Sequence, residues 1–174
     1  MTSLSALHHE LRARRVYLSD KTTTWHQRVI GFLFFVLTLG RTRGYMEHVV
    51  TTIGRRIYVP RSWGSWPREQ RIEILRHELV HVAQFERWGV LPFLVAYLLL
   101  PLPAGLAWCR MRLEREAYEE SLRCAWERGG RDATDELRSH VVGHFLGPGY
   151  LWMWPFRASV ERWYDVFVES LDRG

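Results

Sequence analysis

The sequence has very little lysine and cysteine. Lys21 is the only lysine among the 24 basic residues, so arginine carries almost all of the net charge of +5. The two cysteines, Cys109 and Cys124, form neither a zinc pair nor a disulfide framework, and such cysteine usage favours a reducing compartment. Runs of basic residues with interleaved aromatics are also lacking, so we expect no nucleic-acid partner.

Internal repeats and low-complexity linkers are lacking too, which indicates one domain for the 174 residues. We expect an N-terminal helical segment at 1–44, a core at 45–126 and an aromatic and helical C-terminal segment at 127–174. The expected fold class is α+β. It would be mostly helical, with a small antiparallel β-hairpin or sheet ahead of the helix that carries His77 and His81.

Local patterns predict individual elements within these segments. β-branched residues at 48–53 and 56–59, on either side of Gly54-Arg55, predict the hairpin. Residues 4–15 and 160–171 are predicted to be helices, and 127–135, which include Gly129-Gly130, are predicted to be a loop.

Two apolar stretches raise the question of a membrane. Residues 29–39 are too few to cross a bilayer, and they begin too late and lack the cleavage site of a signal peptide. Residues 88–109 carry no charge, but Pro92, Pro101 and Pro103 interrupt them. We therefore expect a cytoplasmic protein without a signal peptide. Peripheral membrane contact through both stretches is an open alternative.

The most informative pattern that is present is His-Glu-Leu-Val-His at 77–81. Pro67 suits the first turn of a helix around it, and Gly89 suits the C-terminal cap. Apolar residues between these two positions have helical spacing, which predicts the face that packs into a core. These residues are Ile72, Leu75, Leu79 and Val82.

H-E-x-x-H on a helix is a zinc signature. Residues four apart share a helix face, so His77 and His81 can both point an imidazole at one ion. Glu78 would lie beside the open position of that ion, where a general base for a metal-activated water belongs. A chance grouping, with both imidazoles bonded to backbone carbonyls, is the less favoured alternative.

A catalytic zinc ion takes a third protein ligand. Arg87 occupies the position of the third histidine in the metzincin motif, which excludes that class. The next candidates are the acidic side chains at 113–120, close enough downstream for a second helix to fold back.

The strings HELVHVAQ and LEREAYEE resemble the gluzincins, zinc metallopeptidases whose third ligand is a glutamate on a second helix. More narrowly, they resemble small bacterial peptidase-like domains with H-E-L-x-H-x-x-Q and E-x-E-A-[DY]. The resemblance implies one Zn²⁺ per chain and a peptide or protein substrate. The gluzincin pattern E-x-x-A-[DN] places the third ligand at Glu114, whereas a thermolysin-like register would choose Glu116. Tyr118 stands where that pattern has an acid.

The sequence therefore predicts a zinc-dependent hydrolase, specifically a peptidase. The expected metal ligands are His77, His81 and Glu114, with Glu78 as the general base. Donors for the developing oxyanion could be Tyr118, His144 or Tyr150. The alternative is a non-catalytic binding or membrane-surface module with a structural or degenerate zinc site.

Overall fold

The computed structural model describes residues 3–25, 47, 49–98, 107–147 and 153–173. It divides into two compact units, Thr2–Val90 and Leu91–Gly174. Helices predominate, and one small mixed sheet accompanies them. The predicted α+β, mostly helical class is confirmed.

The first unit combines a three-stranded sheet with two helices. Its central strand, β3, pairs in parallel with β1 and antiparallel with β2. The β2–β3 hairpin confirms the prediction, whereas β1 was not predicted because it is short and its partner lies far along the chain. The elements are α1 (Leu4–Ala13), β1 (Tyr17–Asp20), a 3₁₀ turn (Lys21–Thr23), β2 (Thr51–Ile53), β3 (Arg56–Val59), a second 3₁₀ turn (Arg61–Ser65) and α2 (Arg68–Trp88).

Helix α2 has the predicted ends. It follows Pro67 and stops at Gly89, whose N–H makes a last helical bond to the Phe85 carbonyl (2.9 Å) and whose φ of 79° ends the helix. A positive φ of this kind costs glycine little, because glycine has no Cβ.

One face of α2 packs into the core of the first unit, together with α1 and the sheet. Leu75, Leu79 and Val82 belong to this core, and Ile72 packs against it. His77 and His81 lie two residues further on than Leu75 and Leu79, which places them about 200° around the helix. The core residues are Leu7, Leu11, Val16, Ile57, Val59, Trp63, Leu75, Leu79 and Val82.

The second unit is helical. Its elements are most of α3 (Val90–Leu98), α4 (Trp108–Leu146) and α5 (Arg157–Asp172). Gly129 and Gly130 break α4, and Gly130 has φ 62° and ψ −143°. The prediction of a loop over 127–135 is therefore wrong except at these two glycines, because the residues on either side of them continue as helix. The chain folds back there, so that the rings of Tyr118 and Phe145 are 5.7 Å apart.

A second core lies within this unit, where α5 covers the two halves of α4. The helix predicted at 160–171 is confirmed as part of α5. The core residues are Met111, Tyr118, Leu122, Val141, Val142, Phe145, Met153, Val160, Trp163, Tyr164 and Val168.

The two apolar stretches have different outcomes. In the ranges that the structure describes, no helix is long and apolar enough to cross a membrane. Residues 29–39 lie outside those ranges. Residues 88–98 contribute the end of α2 and all of α3, where Trp88, Val90 and Leu91 are exposed.

Candidate metal centre

The two histidines of the motif lie side by side on α2. Their ring centroids are 5.0 Å apart, and the ring planes meet at 74°. His81 is buried and His77 is half-buried. One turn of helix thus presents two imidazoles on one face, as the spacing predicted.

Gln84 orients the second histidine. The Nδ1 atom of His81 lies 2.9 Å from Oε1 of Gln84, and both side chains are buried. When Nδ1–H donates to an amide oxygen, the neutral imidazole keeps its lone pair on Nε2. Nε2 is then the nitrogen that can bind a metal ion, and the glutamine restricts rotation of the ring.

Glu78 is held by the neighbouring sheet. The Thr52 hydroxyl on β2 donates a hydrogen bond of 2.6 Å to Oε2 of Glu78. Glu78 is only 7% exposed, and a short bond from a hydroxyl to a carboxylate is among the stronger hydrogen bonds in proteins. The orientation of the predicted general base is therefore set by a residue of a different element.

A buried cation lies in the same unit. Lys21 is 0% exposed, and its Nζ donates to the Thr51 hydroxyl at 2.9 Å. Burial lowers the pKa of Lys21 to about 7, and the negative charge of Glu78 acts in the opposite direction. The first unit thus contains a buried ammonium and a buried carboxylate, each bonded to a threonine of β2.

Glu114 belongs to the second unit, on the first half of α4. It is 2% exposed, and the Tyr97 hydroxyl on α3 donates a hydrogen bond to its Oε1. Arg110 in turn fixes Tyr97, because its Nε donates to the Tyr97 carbonyl at 2.8 Å and its guanidinium lies 5.1 Å from the ring centroid. Glu116, the alternative ligand, is half-buried on the same helix.

The donor chemistry of these residues fits a metal ion. In the described part of the chain, His77, His81 and Glu114 are a group that could hold one. Two imidazoles and one carboxylate form the three-ligand set of many catalytic zinc sites. The hydrogen bond from His81 to Gln84 supports this fit, because it leaves the metal-binding lone pair on Nε2.

The oxyanion candidates lie in the second unit or outside the described residues. Tyr118 belongs to the core of that unit, with its ring 5.1 Å from the ring of His144. Burial, assisted by the nearby charge of His140, lowers the pKa of His144 to about 3, so this histidine is neutral at ordinary pH. Tyr150 lies outside the residues that the structure describes.

Sequence reasoning did not assign a role to several residues of this centre. Thr51 and Thr52 are ordinary members of a predicted strand, and Tyr97 is an ordinary member of an apolar stretch. Lys21 stands out in the sequence as the single lysine, and this rarity is its one signal. Gln84 was part of the motif string, and its position three residues after His81 could have indicated a bond along the helix.

The comparisons with known proteins add no relative. No family model, curated protein or solved structure matches the chain.

Proposed function

We propose that this protein is a zinc-dependent peptidase in which His77, His81 and Glu114 hold the ion. One observation carries the proposal. A single turn of α2 presents two adjacent imidazoles, and the carboxylate between them in sequence, Glu78, is held by Thr52. A helix that only filled space would need neither the paired histidines nor the oriented acid.

In the proposed mechanism, Glu78 and Thr52 would have separate roles beside the zinc ion. A zinc ion, when bound, would supply the Lewis acid that polarises a carbonyl and lowers the pKa of water. Glu78 would accept the proton of the attacking water and then deliver it to the leaving amine. Thr52 would keep the Glu78 carboxylate in the orientation that both proton transfers need.

A peptide substrate is supported by the position of β2. This strand is at one edge of the three-stranded sheet, and Thr52 links it directly to Glu78. An edge strand can pair with the backbone of an extended peptide. A peptide bound there would lie next to the strand that orients the general base.

The hydrogen bond from Thr52 to the Glu78 carboxylate favours an enzyme over a binding module with a structural metal. Structural zinc sites are closed by four protein ligands and require no general base. Here three residues could supply ligands, and the buried Glu78, next to His77 in the sequence, accepts a hydrogen bond from Thr52.

Metal content is the first test. Elemental mass spectrometry of the purified wild type should find one zinc per chain. His81→Ala and Glu114→Ala should lose it, and Glu116→Ala should retain it. Loss in Glu116→Ala with retention in Glu114→Ala would reverse the ligand assignment. A wild type without zinc, even after reconstitution, would contradict the proposal.

Turnover is the second test. A peptide library incubated with the zinc-loaded wild type should yield cleaved products, whereas Glu78→Gln should bind zinc and cleave nothing. Glu69→Gln is the matched control, because it makes the same change at an exposed position in the first turn of α2. Normal cleavage by Glu78→Gln would rule out this mechanism.

A further inference from the structure

The only lysine of the chain is completely buried. Lys21 lies in the 3₁₀ turn that follows β1 and is 0% exposed. Asp20 caps this turn, because its Oδ1 accepts hydrogen bonds from the Thr22 N–H and the Thr22 hydroxyl, both at 2.7 Å. Lysine is seldom buried, since removing its charge from water is costly. Its position here therefore requires compensating contacts.

Two consecutive threonines connect this lysine to the general base. The Lys21 ammonium donates to Thr51, and the next residue, Thr52, donates to Glu78. Both threonines belong to β2, which packs on α2. The ammonium and the carboxylate are thus bonded to neighbouring residues of one short edge strand.

The electrostatics agree with this geometry. Glu78 is the charged residue whose field favours the ammonium form of Lys21, against the effect of burial. Opposite charges in a region shielded from water interact more strongly than at the surface. The cation and the carboxylate therefore stabilise each other across β2.

We infer that Lys21 is a positioning residue for Glu78. Its ammonium anchors β2 through Thr51, and β2 presents Thr52 to the Glu78 carboxylate. The inference rests on the proposed role of Glu78 as general base. Proton transfer depends on the placement of the base, so a strand that shifts by a fraction of an ångström would slow turnover without altering the metal ligands.

A lysine-specific NMR signal tests the coupling directly. Because Lys21 is the only lysine, labelling the full chain with ¹³C,¹⁵N-lysine gives one set of side-chain resonances. The ε-carbon signal of the metal-free protein should shift in both Glu78→Gln and Thr51→Val. It should stay unchanged in Glu69→Gln, which alters an exposed carboxylate of the same helix. A signal that Glu78→Gln leaves unmoved would overturn the inference, whatever Thr51→Val does.

Steady-state kinetics test the consequence. Lys21→Met and Thr51→Val should lower kcat about 10-fold or more, with KM and zinc content unchanged. Thr51→Ser, which keeps the hydroxyl, should restore kcat. Wild-type kcat in a folded Lys21→Met would overturn the inference. If circular dichroism shows that Lys21→Met is unfolded, the Thr51→Val and Thr51→Ser pair decides in the same way.

The two proposals fail separately. A wild type that binds no zinc or cleaves no peptide would contradict the proposed function and leave the lysine signal to decide the inference. In that case, a shift in Glu78→Gln would support Lys21 as the residue that positions this carboxylate. A wild type that is active, combined with an unresponsive lysine signal, would overturn the inference alone.

Discussion

The Nδ1 atom of His81 lies 2.9 Å from the Oε1 atom of Gln84, three residues further along the same helix. Both side chains are buried, so water does not replace this bond easily. The pair shows how the helix that carries the candidate ligands also orients one of them. It also makes the zinc proposal testable at a residue that is not itself a ligand.

Replacing Gln84 by Leu should weaken zinc binding about 10-fold or more, because the His81 ring loses its orienting acceptor. Competition with a chromogenic chelator measures the affinity. Gln70→Leu, an exposed site on the same helix, is the control and should bind zinc as the wild type does. Equal affinities in the two variants would show that Gln84 does not orient the ligand.

Replacing Thr52 by Val should lower kcat and leave zinc affinity unchanged. A hydrogen bond to a charged group contributes about 1.5–3 kcal/mol, which corresponds to roughly 10- to 100-fold in rate if the bond matters in the transition state. Steady-state kinetics on a cleaved peptide provide the measurement. Thr52→Ser should recover most of the loss, and a Thr52→Val enzyme with normal kcat would contradict the role of Thr52.

Tyr97→Phe should weaken zinc binding by up to about 10-fold, because the Glu114 carboxylate loses its phenol donor. Isothermal titration with zinc under buffered metal conditions gives the affinity. Tyr17→Phe serves as the control, since Tyr17 is 57% exposed on β1. Unchanged binding in Tyr97→Phe would imply that Glu114 needs no such support or is not a ligand.

The free energy of unfolding of the metal-free protein should rise between pH 7 and 10.5 through Lys21. The pKa of Lys21 is about 7 in the folded protein and has its ordinary value of 10.5 in the unfolded chain. The unfolded chain therefore binds the extra proton in this window, and stability increases with pH by at most about 1.4 kcal/mol per unit. Urea unfolding across this range should show a smaller rise in Lys21→Met. Identical pH dependence in both proteins would refute this linkage.

At acid pH, the free energy of unfolding should depend on the protonation of His144. Burial lowers its pKa from 6.5 to about 3, so the unfolded chain takes up a proton first as the pH falls. The contribution of His144 to the free energy of unfolding is then fully present above pH 6.5. It is lost progressively towards pH 3, by at most about 1.4 kcal/mol per pH unit. Urea unfolding of His144→Gln should show a flatter acid limb than that of His9→Gln, an exposed control. Equal slopes would refute the assignment.

Local sequence patterns were sufficient for the elements that depend on neighbouring residues. The spacing of Leu75, Leu79 and Val82 predicted the buried face of α2, and Gly89 predicted its end. The β-branched residues around Gly54 predicted the hairpin. Gly129-Gly130 indicated the interruption of α4 in the same way, but two glycines do not indicate that the helix continues on both sides, so the predicted loop was too long.

Contacts between residues that are far apart in the sequence could not be predicted from local patterns. Thr52 and Glu78 are 26 residues apart, and Lys21 and Thr51 are 30 residues apart. Strand β1 likewise depends on a parallel partner that lies far along the chain. No local periodicity encodes such pairs, because they form only when the sheet and α2 pack together.

The sequence by itself determined that His77 and His81 share one face of a helix, since the α-helical repeat places residues four apart on one face. It also placed Glu78 directly after the first of these histidines. Only the tertiary structure decided how these side chains are supported. It placed Thr52 against Glu78 and buried the single lysine beneath β2, because strand pairing and helix packing choose among contacts that the local chain leaves equally open.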